Sequence, residues 1–293
     1  MLFLFAFIEQ VVPFLPLAYA VSISFNVLQV TDLALDASFV AGAGCYAKIL
    51  LLGFHPLIAF ICALLAGGGA GILTALIQYK NKINSLLASI LSSFILYSLI
   101  LIIMDRPTIS VLNLNGIFAF NIFNNLIEHK ELVISMVYVV FALIISYICI
   151  AYCRIGLLFN ALGSNPSLLK QWGYNIEIIR CCGFIITNML SALSGVLTCA
   201  SIGYADINMG IGLTLIGIGT TIIGQSILYK ICKIYNLRFL AQLLACILGC
   251  SLYFIALNSL LHYEVNPIYI KMMVGLILIV FIYLSHSLQG LKK

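Results

Sequence analysis

The feature that most constrains this 293-residue sequence is a succession of apolar runs, each close to the length of a membrane-crossing helix. A helix needs roughly 20 apolar residues to cross the hydrocarbon layer of a bilayer. The chain is 63% hydrophobic and 8% charged, which is too little polar surface for a soluble globule. We therefore expect an all-α polytopic membrane protein with about nine transmembrane helices, eight to ten being compatible, in a single domain over residues 1–293.

The runs lie at about 1–30, at a second stretch that ends at 53, and at 55–77, 85–104, 132–153, 178–201, 203–225, 239–261 and 268–286. The first run has neither the basic start nor the small-residue cleavage site of a signal peptide, so we expect it to remain as a helix. Pro13 and Pro16 should kink or break it. Glu9 in the same run is costly in lipid, which favours a functional role, although a side chain reaching the near interface explains it equally well.

A polar interval, residues 161–180, separates two of the apolar runs and contains the signals of a short helix. Asn165 followed by Pro166 is typical of an N-cap and a first helical position. Gly173 is suited to a left-handed stop, and Asn175 can cap the helix that follows. The intervening apolar residues should share one side of the short helix: Leu168, Leu169 and Trp172.

An exposed apolar helix of this kind either lies on the lipid surface or fills a groove in a partner protein. The residues alone leave these two interpretations about equal. The distribution of basic residues then separates them, because Lys and Arg concentrate in cytoplasmic loops. One set of alternate loops holds ten of the fourteen Lys and Arg residues: Lys80, Lys82, Arg154, Lys170, Arg180, Lys230, Lys233, Arg238, Lys292 and Lys293. This pattern predicts an outside N-terminus, a cytoplasmic C-terminus and a cytoplasmic short helix, which favours a protein partner.

Two glycine-rich acidic segments, residues 31–44 and 204–219, occupy corresponding places in the two halves of the chain. We interpret them as broken helices of an inverted repeat that meet near the middle of the membrane and line a substrate path. The polar groups available there for a small zwitterion are Glu9, Asp32, Asp36, Asp206 and Asn208. In the alternative interpretation these residues are ordinary helix caps at the membrane surface, with Asp36 and Ser38 capping the second helix.

The sequence predicts neither a metal site nor a cofactor. Its ten cysteines are scattered along apolar runs and its four histidines lie far apart. An intramembrane enzyme is therefore unsupported, since no nucleophile or acid–base cluster is present. The glycine run at Gly67 lacks the lysine of a phosphate-binding loop and lies inside an apolar run, so any ATP chemistry belongs to a separate subunit. The expected partners are membrane lipid and proteins, with no nucleic acid.

Four segments in this order carry a family resemblance: TDLALDASFVAGA, TALIQYKNKINSLLASIL, ALGSNPSLLKQWGYN and ALSGVLTCASIGYADINMGIG. They resemble the permease subunits of bacterial ABC importers in the branched-chain amino acid and ribose permease superfamily. Within it, the sequence is most similar to a branch linked to uptake of tryptophan and other aromatic amino acids. The resemblance implies an inverted-repeat permease of the type II-like importer class, in the bacterial cytoplasmic membrane, that passes a small solute such as an amino acid.

The resemblance also implies which residues couple to the ATPase. In that family the loop with the G-x-N-P pattern, here residues 154–177, forms a coupling helix that docks into the ATPase subunit. The matching positions are Gly163, Asn165, Pro166, Gly173 and Asn175, beside the apolar Leu168, Leu169 and Trp172. Further implied partners are an extracytoplasmic substrate-binding protein and a second permease copy, with a homodimer expected.

An ion-coupled secondary transporter is the alternative that the residues leave open. An inverted repeat and intramembrane acids would serve such a protein equally well, with Glu9 or Asp206 as a proton or sodium site. That alternative assigns no role to the short helix from Leu168 to Trp172.

Overall fold

The computed structural model describes residues 2–112, 114, 116–117, 130–232 and 238–262, together with 269, 272, 275, 276 and 279. Side chains are not described for residues 2–6, 81, 130–131 and 229–239 within these ranges. The helices are α1 (Leu2–Ser22), α2 (Ala34–Leu51), α3 (Pro56–Ile77), α4 (Ser85–Met104), α5 (Lys130–Ala151), α6 (Arg154–Ser164), α7 (Pro166–Gln171), α8 (Ile176–Ile202), α9 (Leu213–Cys232) and α10 (Arg238–His262). The two strands are β1 (Thr108–Ser110) and β2 (Tyr204–Asp206).

The expected all-α polytopic architecture is confirmed. Within the described ranges, seven helices are long and apolar enough to cross a membrane, and the apolar part of α9, Leu213–Leu228, is shorter. The predicted run at 268–286 lies mostly outside the described residues, so the expected count of nine is not confirmed. The chain is a multi-pass membrane protein.

The first helix passes through both of its prolines and continues as a π-helical turn, Ile23–Val27. Of the expected kink or break at Pro13 and Pro16, the break does not occur. Prolines are tolerated in membrane helices when neighbouring groups bind the backbone around them. Here the Ser194 hydroxyl of α8 donates a hydrogen bond to the Pro13 carbonyl at 2.5 Å.

Helix α8 is the central helix of the fold and packs against α1, α2 and α3. The contact between α8 and α3 is close because glycines of α3 face α8. A Cβ atom built on Gly71 would lie 2.5 Å from the Phe184 carbonyl oxygen, and one on Gly67 would lie 2.7 Å from that of Asn188. Only glycine at these positions lets the two backbones approach so closely.

The short antiparallel sheet shows which connecting segments lie at the same end of the bundle. Thr108 of β1 pairs with Asp206 of β2, so the chain leaving α4 and the chain leaving α8 meet at one end. Strand β2 follows α8, whereas the short helices α6 and α7 precede it. Because α8 is one continuous helix, α6 and α7 lie at the end opposite to the sheet. At the sheet end, Lys48 near the end of α2 forms an ion pair with Asp105, which follows α4.

Candidate functional site

Helix α7 begins and ends at the residues that the sequence predicts. The Asn165 side chain accepts a hydrogen bond from the Ser167 N–H at 3.2 Å, and Pro166 is the first helical residue. Gly173 adopts a φ of +78°, the left-handed conformation that glycine reaches without steric cost. The Asn175 side chain accepts from the Glu177 N–H at 3.0 Å and caps α8. The local framework of the predicted coupling helix is therefore in place.

We expected Leu168, Leu169 and Trp172 to share one side of the short helix. Their exposure differs. Leu169 is fully buried, whereas Leu168 is 42% and Trp172 69% exposed. Leu168 and Leu169 point about 100° apart, and α7 rests on α6 and α8 at one edge of this arc, which covers Leu169 and leaves Leu168 outside. Leu169 anchors α7 to the protein. Leu168 and Trp172, with the half-exposed Tyr174 after the helix, form the outward surface, which we call the α7 surface.

Gly163 also lies on the inner side of this region. A Cβ atom built on it would lie 2.3 Å from the Val27 carbonyl oxygen, so Gly163 permits close packing of α6 against the π-helical turn. Beside α7, an apolar groove runs between α6 and α8, lined by Ile155, Leu158, Phe159 and Tyr174 among others. The groove extends the apolar area next to the α7 surface, and sequence reasoning did not identify it.

The second candidate region is the break between α1 and α2, residues 28–33, which we call the central break. Asp32 in this segment accepts a hydrogen bond from the Asn188 side-chain amide at 2.9 Å. Asn188 is near the middle of α8, so the break lies deep within the bundle. Non-helical backbone at this depth persists only where protein groups satisfy it. Ser24 donates to the Val30 carbonyl at 2.7 Å, and Ser93 donates to that of Leu33 at 3.3 Å.

Asp36 connects the two acidic segments directly. Its carboxylate accepts hydrogen bonds from the Gly212 N–H at 2.9 Å, the Thr214 N–H at 2.6 Å and the Thr214 hydroxyl at 2.5 Å. Asp36 therefore caps α9, and the interpretation that it caps its own helix α2 is wrong. A carboxylate at a helix N-terminus is favoured by the free N–H groups and the helix dipole.

The Ser38 hydroxyl donates to the Leu35 carbonyl within α2, so Ser38 does not act as a cap either. The broken-helix interpretation placed the two glycine-rich segments together, and Asp36 and the start of α9 are in contact as it required.

The other proposed path residues lie elsewhere. Asp206 is in β2 at the end of the bundle, where its carboxylate accepts from the Asn208 N–H at 2.7 Å, and Asn208 is exposed. Glu9 is exposed on α1. Of the five residues, only Asp32 and Asp36 come together in the interior.

Sequence reasoning missed two members of this interior group, Asn188 and Thr214. A signal for Asn188 was present: an amide side chain within an apolar run is costly unless it has a polar partner.

This arrangement is that of a transport protein of the permease type: membrane-length helices, a helix interrupted in the bundle centre and helix starts facing each other there. The chain belongs to the family described as the permease component of branched-chain amino acid transport systems, whose family model matches residues 3–283. It is 37% identical over 287 residues to an uncharacterized protein of Rickettsia prowazekii, covering 98% of this chain and 96% of that protein.

Two named permeases are also similar. The tyrosine transport system permease protein of Clostridioides difficile is 30% identical over 278 residues, which cover 94% of this chain and 89% of that protein. The D-allose transport system permease protein of Escherichia coli is 26% identical over 198 residues, which cover 66% of this chain and 58% of that protein. This chain is the permease component of a transport system.

Proposed function

We propose that this chain is the membrane subunit of an ATP-driven importer and that the α7 surface is where an ATPase subunit docks. The observation that carries the proposal is the exposure of Leu168 and Trp172 on a helix whose ends are fixed by Asn165 and Gly173. Large apolar side chains exposed on a capped, anchored helix are suited to a rigid contact with another protein. Asn165 and Gly173 set the length of the helix, and Leu169 attaches it to the bundle.

The proposed orientation places α7 and the basic loops in the cytoplasm of a bacterium, with the N-terminus outside and the C-terminus inside. Lys80, Arg154 and Lys170 lie at the α7 end of the bundle, because α3 and α8 run antiparallel and α6 precedes α7. The sheet end then faces outward, where a substrate-binding protein would deliver solute. A second permease copy would supply the second docking helix for a pair of ATPases, and ATP hydrolysis belongs to those subunits.

The proposed cargo is an amino acid, with Asp32 and Asp36 beside its path. The support is the likeness to a tyrosine transport permease over nearly the whole chain. The allose permease covers less of both proteins and has the lower identity. ATP binding and closure of the ATPase subunits would move α7 as a lever, and its attachment through Leu169 would pass that movement to α8.

The test uses the complete transporter, expressed with its ATPase and binding protein and reconstituted in vesicles. Replacing Trp172 with alanine should abolish ATP-driven uptake of labelled amino acid and the co-purification of the ATPase, with the permease content of the membrane unchanged. Tyr79→Ala is the matched control, since Tyr79 is a half-exposed aromatic residue on the same side, outside α7. Vesicles holding only this chain that accumulate amino acid along an ion gradient would identify a secondary transporter and refute the proposal.

A further inference from the structure

Asp32 carries a carboxylate in the interior that is only partly satisfied by hydrogen bonds. The side chain is 3% exposed and accepts from the Ala34 N–H and from the Asn188 side-chain amide, both at 2.9 Å. A carboxylate has about four acceptor sites, so roughly half of its capacity is unused. A buried carboxylate with unused acceptors is unfavourable unless it takes up a proton or binds a positively charged group.

Asn188 contributes a second acceptor at the same place. Both hydrogens of its amide are used, one on Asp32 and the other on the Phe184 carbonyl at 2.9 Å. The side-chain oxygen of Asn188 is buried and has no hydrogen-bond partner among the residues that the structure describes. This oxygen is bonded to the same carbon as the nitrogen that donates to Asp32, so the two side chains place a carboxylate and an unsatisfied amide oxygen in the same part of the interior.

The basic side chains of the surrounding helices are committed elsewhere. Lys48, at the far end of α2, pairs with Asp105, and Arg180, two turns before Asn188 on α8, pairs with Glu177 at 3.4 Å. The sequences of α1, α3 and α4 contain no Lys or Arg, and Lys230 is at the opposite end of α9 from Thr214. In the part of the chain that the structure describes, no Lys or Arg side chain forms an ion pair with Asp32.

Asp36, four residues further on, differs in this respect. Its three donors come from the start of α9, so this carboxylate is committed to holding the two helices together. Asp36 is partly exposed, and a Cβ atom built on the adjoining Gly212 would find nothing within 4 Å. There is thus local space beside Gly212, at the start of α9.

We infer that Asp32 and the side-chain oxygen of Asn188 together accept the ammonium group of the substrate as it passes the centre of the bundle. The inference rests on the proposed function, amino acid import. An ammonium group has three donors and no acceptor, which matches two unsatisfied oxygens, one of them charged. Asp32 and Asn188 then select substrates that carry a cationic nitrogen, whereas Asp36 positions α9.

The test exchanges the carboxylate and the amide between positions 32 and 188 in the complete transporter and measures the uptake of labelled tyrosine. Asp32→Asn should lower ATP-driven uptake about tenfold or more, because the charge that meets the ammonium group is removed. ATP hydrolysis stimulated by the loaded binding protein should persist. The double variant Asp32→Asn with Asn188→Asp restores one carboxylate and one amide and should recover most of the uptake.

Each outcome is decisive. Uptake at the wild-type rate in Asp32→Asn would overturn the inference. So would a membrane-inserted double variant as inactive as Asp32→Asn, and this comparison holds even where the single variant folds poorly. Wild-type uptake that disappears when choline replaces sodium would assign the oxygens to a metal cation and also overturn it. Failure of the proposed function looks different, because the wild-type complex would then show no ATP-dependent uptake.

Discussion

The α7 surface and the central break are both interruptions between long apolar helices, but they are held in different ways. The ends of α7 are set by Asn165, Gly173 and Asn175, whose hydrogen bonds reach only two or three positions along the chain. The central break is held by contacts between residues 156 and 178 positions apart, Asp32 with Asn188 and Asp36 with Thr214. The first is a local structure that presents a surface, and the second exists only within the folded bundle.

The largest loss of stability is expected from Asp36→Ala, next to the central break. This change leaves two N–H groups at the start of α9 without their charged acceptor, which should lower the free energy of unfolding by about 3 kcal/mol. Thermal unfolding in detergent micelles measures it. Asp206→Ala removes a carboxylate that caps an exposed turn and should cost well under about 1 kcal/mol. Equal destabilisation by the two variants would contradict a special role for Asp36.

A second prediction concerns the close packing of α3 on α8, the helix that carries Asn188. Gly71→Val places side-chain atoms against the Phe184 backbone and should cost about 2 kcal/mol. Gly69→Ala is the matched control: a Cβ atom there meets nothing within 4 Å, and alanine favours helix by about 0.5–1 kcal/mol. The two variants should shift the unfolding temperature in opposite directions, and a loss of stability in both would mean that the packing is misassigned.

At α7 the expected losses of stability are smaller and are confined to that helix. Asn165→Ala removes the N-cap and should destabilise α7 by about 1 kcal/mol, without changing the unfolding of the bundle. Hydrogen exchange should therefore quicken in residues 166–172 and stay unchanged in α8. Gln171→Ala, an exposed substitution at the last residue of the same helix, serves as the control. Faster exchange throughout α8 would mean that α7 is not a locally determined element.

The smallest effect on stability is expected from the ion pair at the sheet end, which lies outside both regions. The Lys48 ammonium beside Asp105 holds the pKa of that carboxyl below its usual value. Because the folded pKa is lowered, the stabilisation is complete above the unfolded pKa, about 3.9, and is lost as pH falls through the folded pKa. Lys48→Met should remove this acid dependence of the unfolding temperature, and Lys82→Met should keep it. An unchanged profile in Lys48→Met would exclude the pair as its source.

The difference between the two regions explains what could be predicted from the sequence. Capping residues and a positive-φ glycine act on their immediate neighbours, so the bounds of α7 and the cap of α8 could be identified from the residues alone. The apolar run 85–104 likewise coincides with α4, since length and hydropathy decide a membrane helix. The orientation of Leu169 was missed because burial depends on what lies beneath the helix.

The central break could be anticipated only in outline. The glycine-rich acidic segments indicated that two broken helices meet, but no local pattern indicates that Asp36 caps α9 in place of α2. That choice depends on α2 and α9 being brought together by α8 and α1. For the same reason Asp206 and Glu9 were grouped with Asp32 by residue type, whereas the fold places Asp206 at the end of the bundle.

The most direct test of the central claim is to place a photoreactive benzoylphenylalanine at position 172 in cells that express the complete transporter. The proposal predicts that illumination of native membranes joins the permease to the ATPase subunit, with Tyr79 replaced in the same way giving no such product. Adducts to lipid alone at position 172, with the ATPase present, would contradict the assignment of the α7 surface as its docking site.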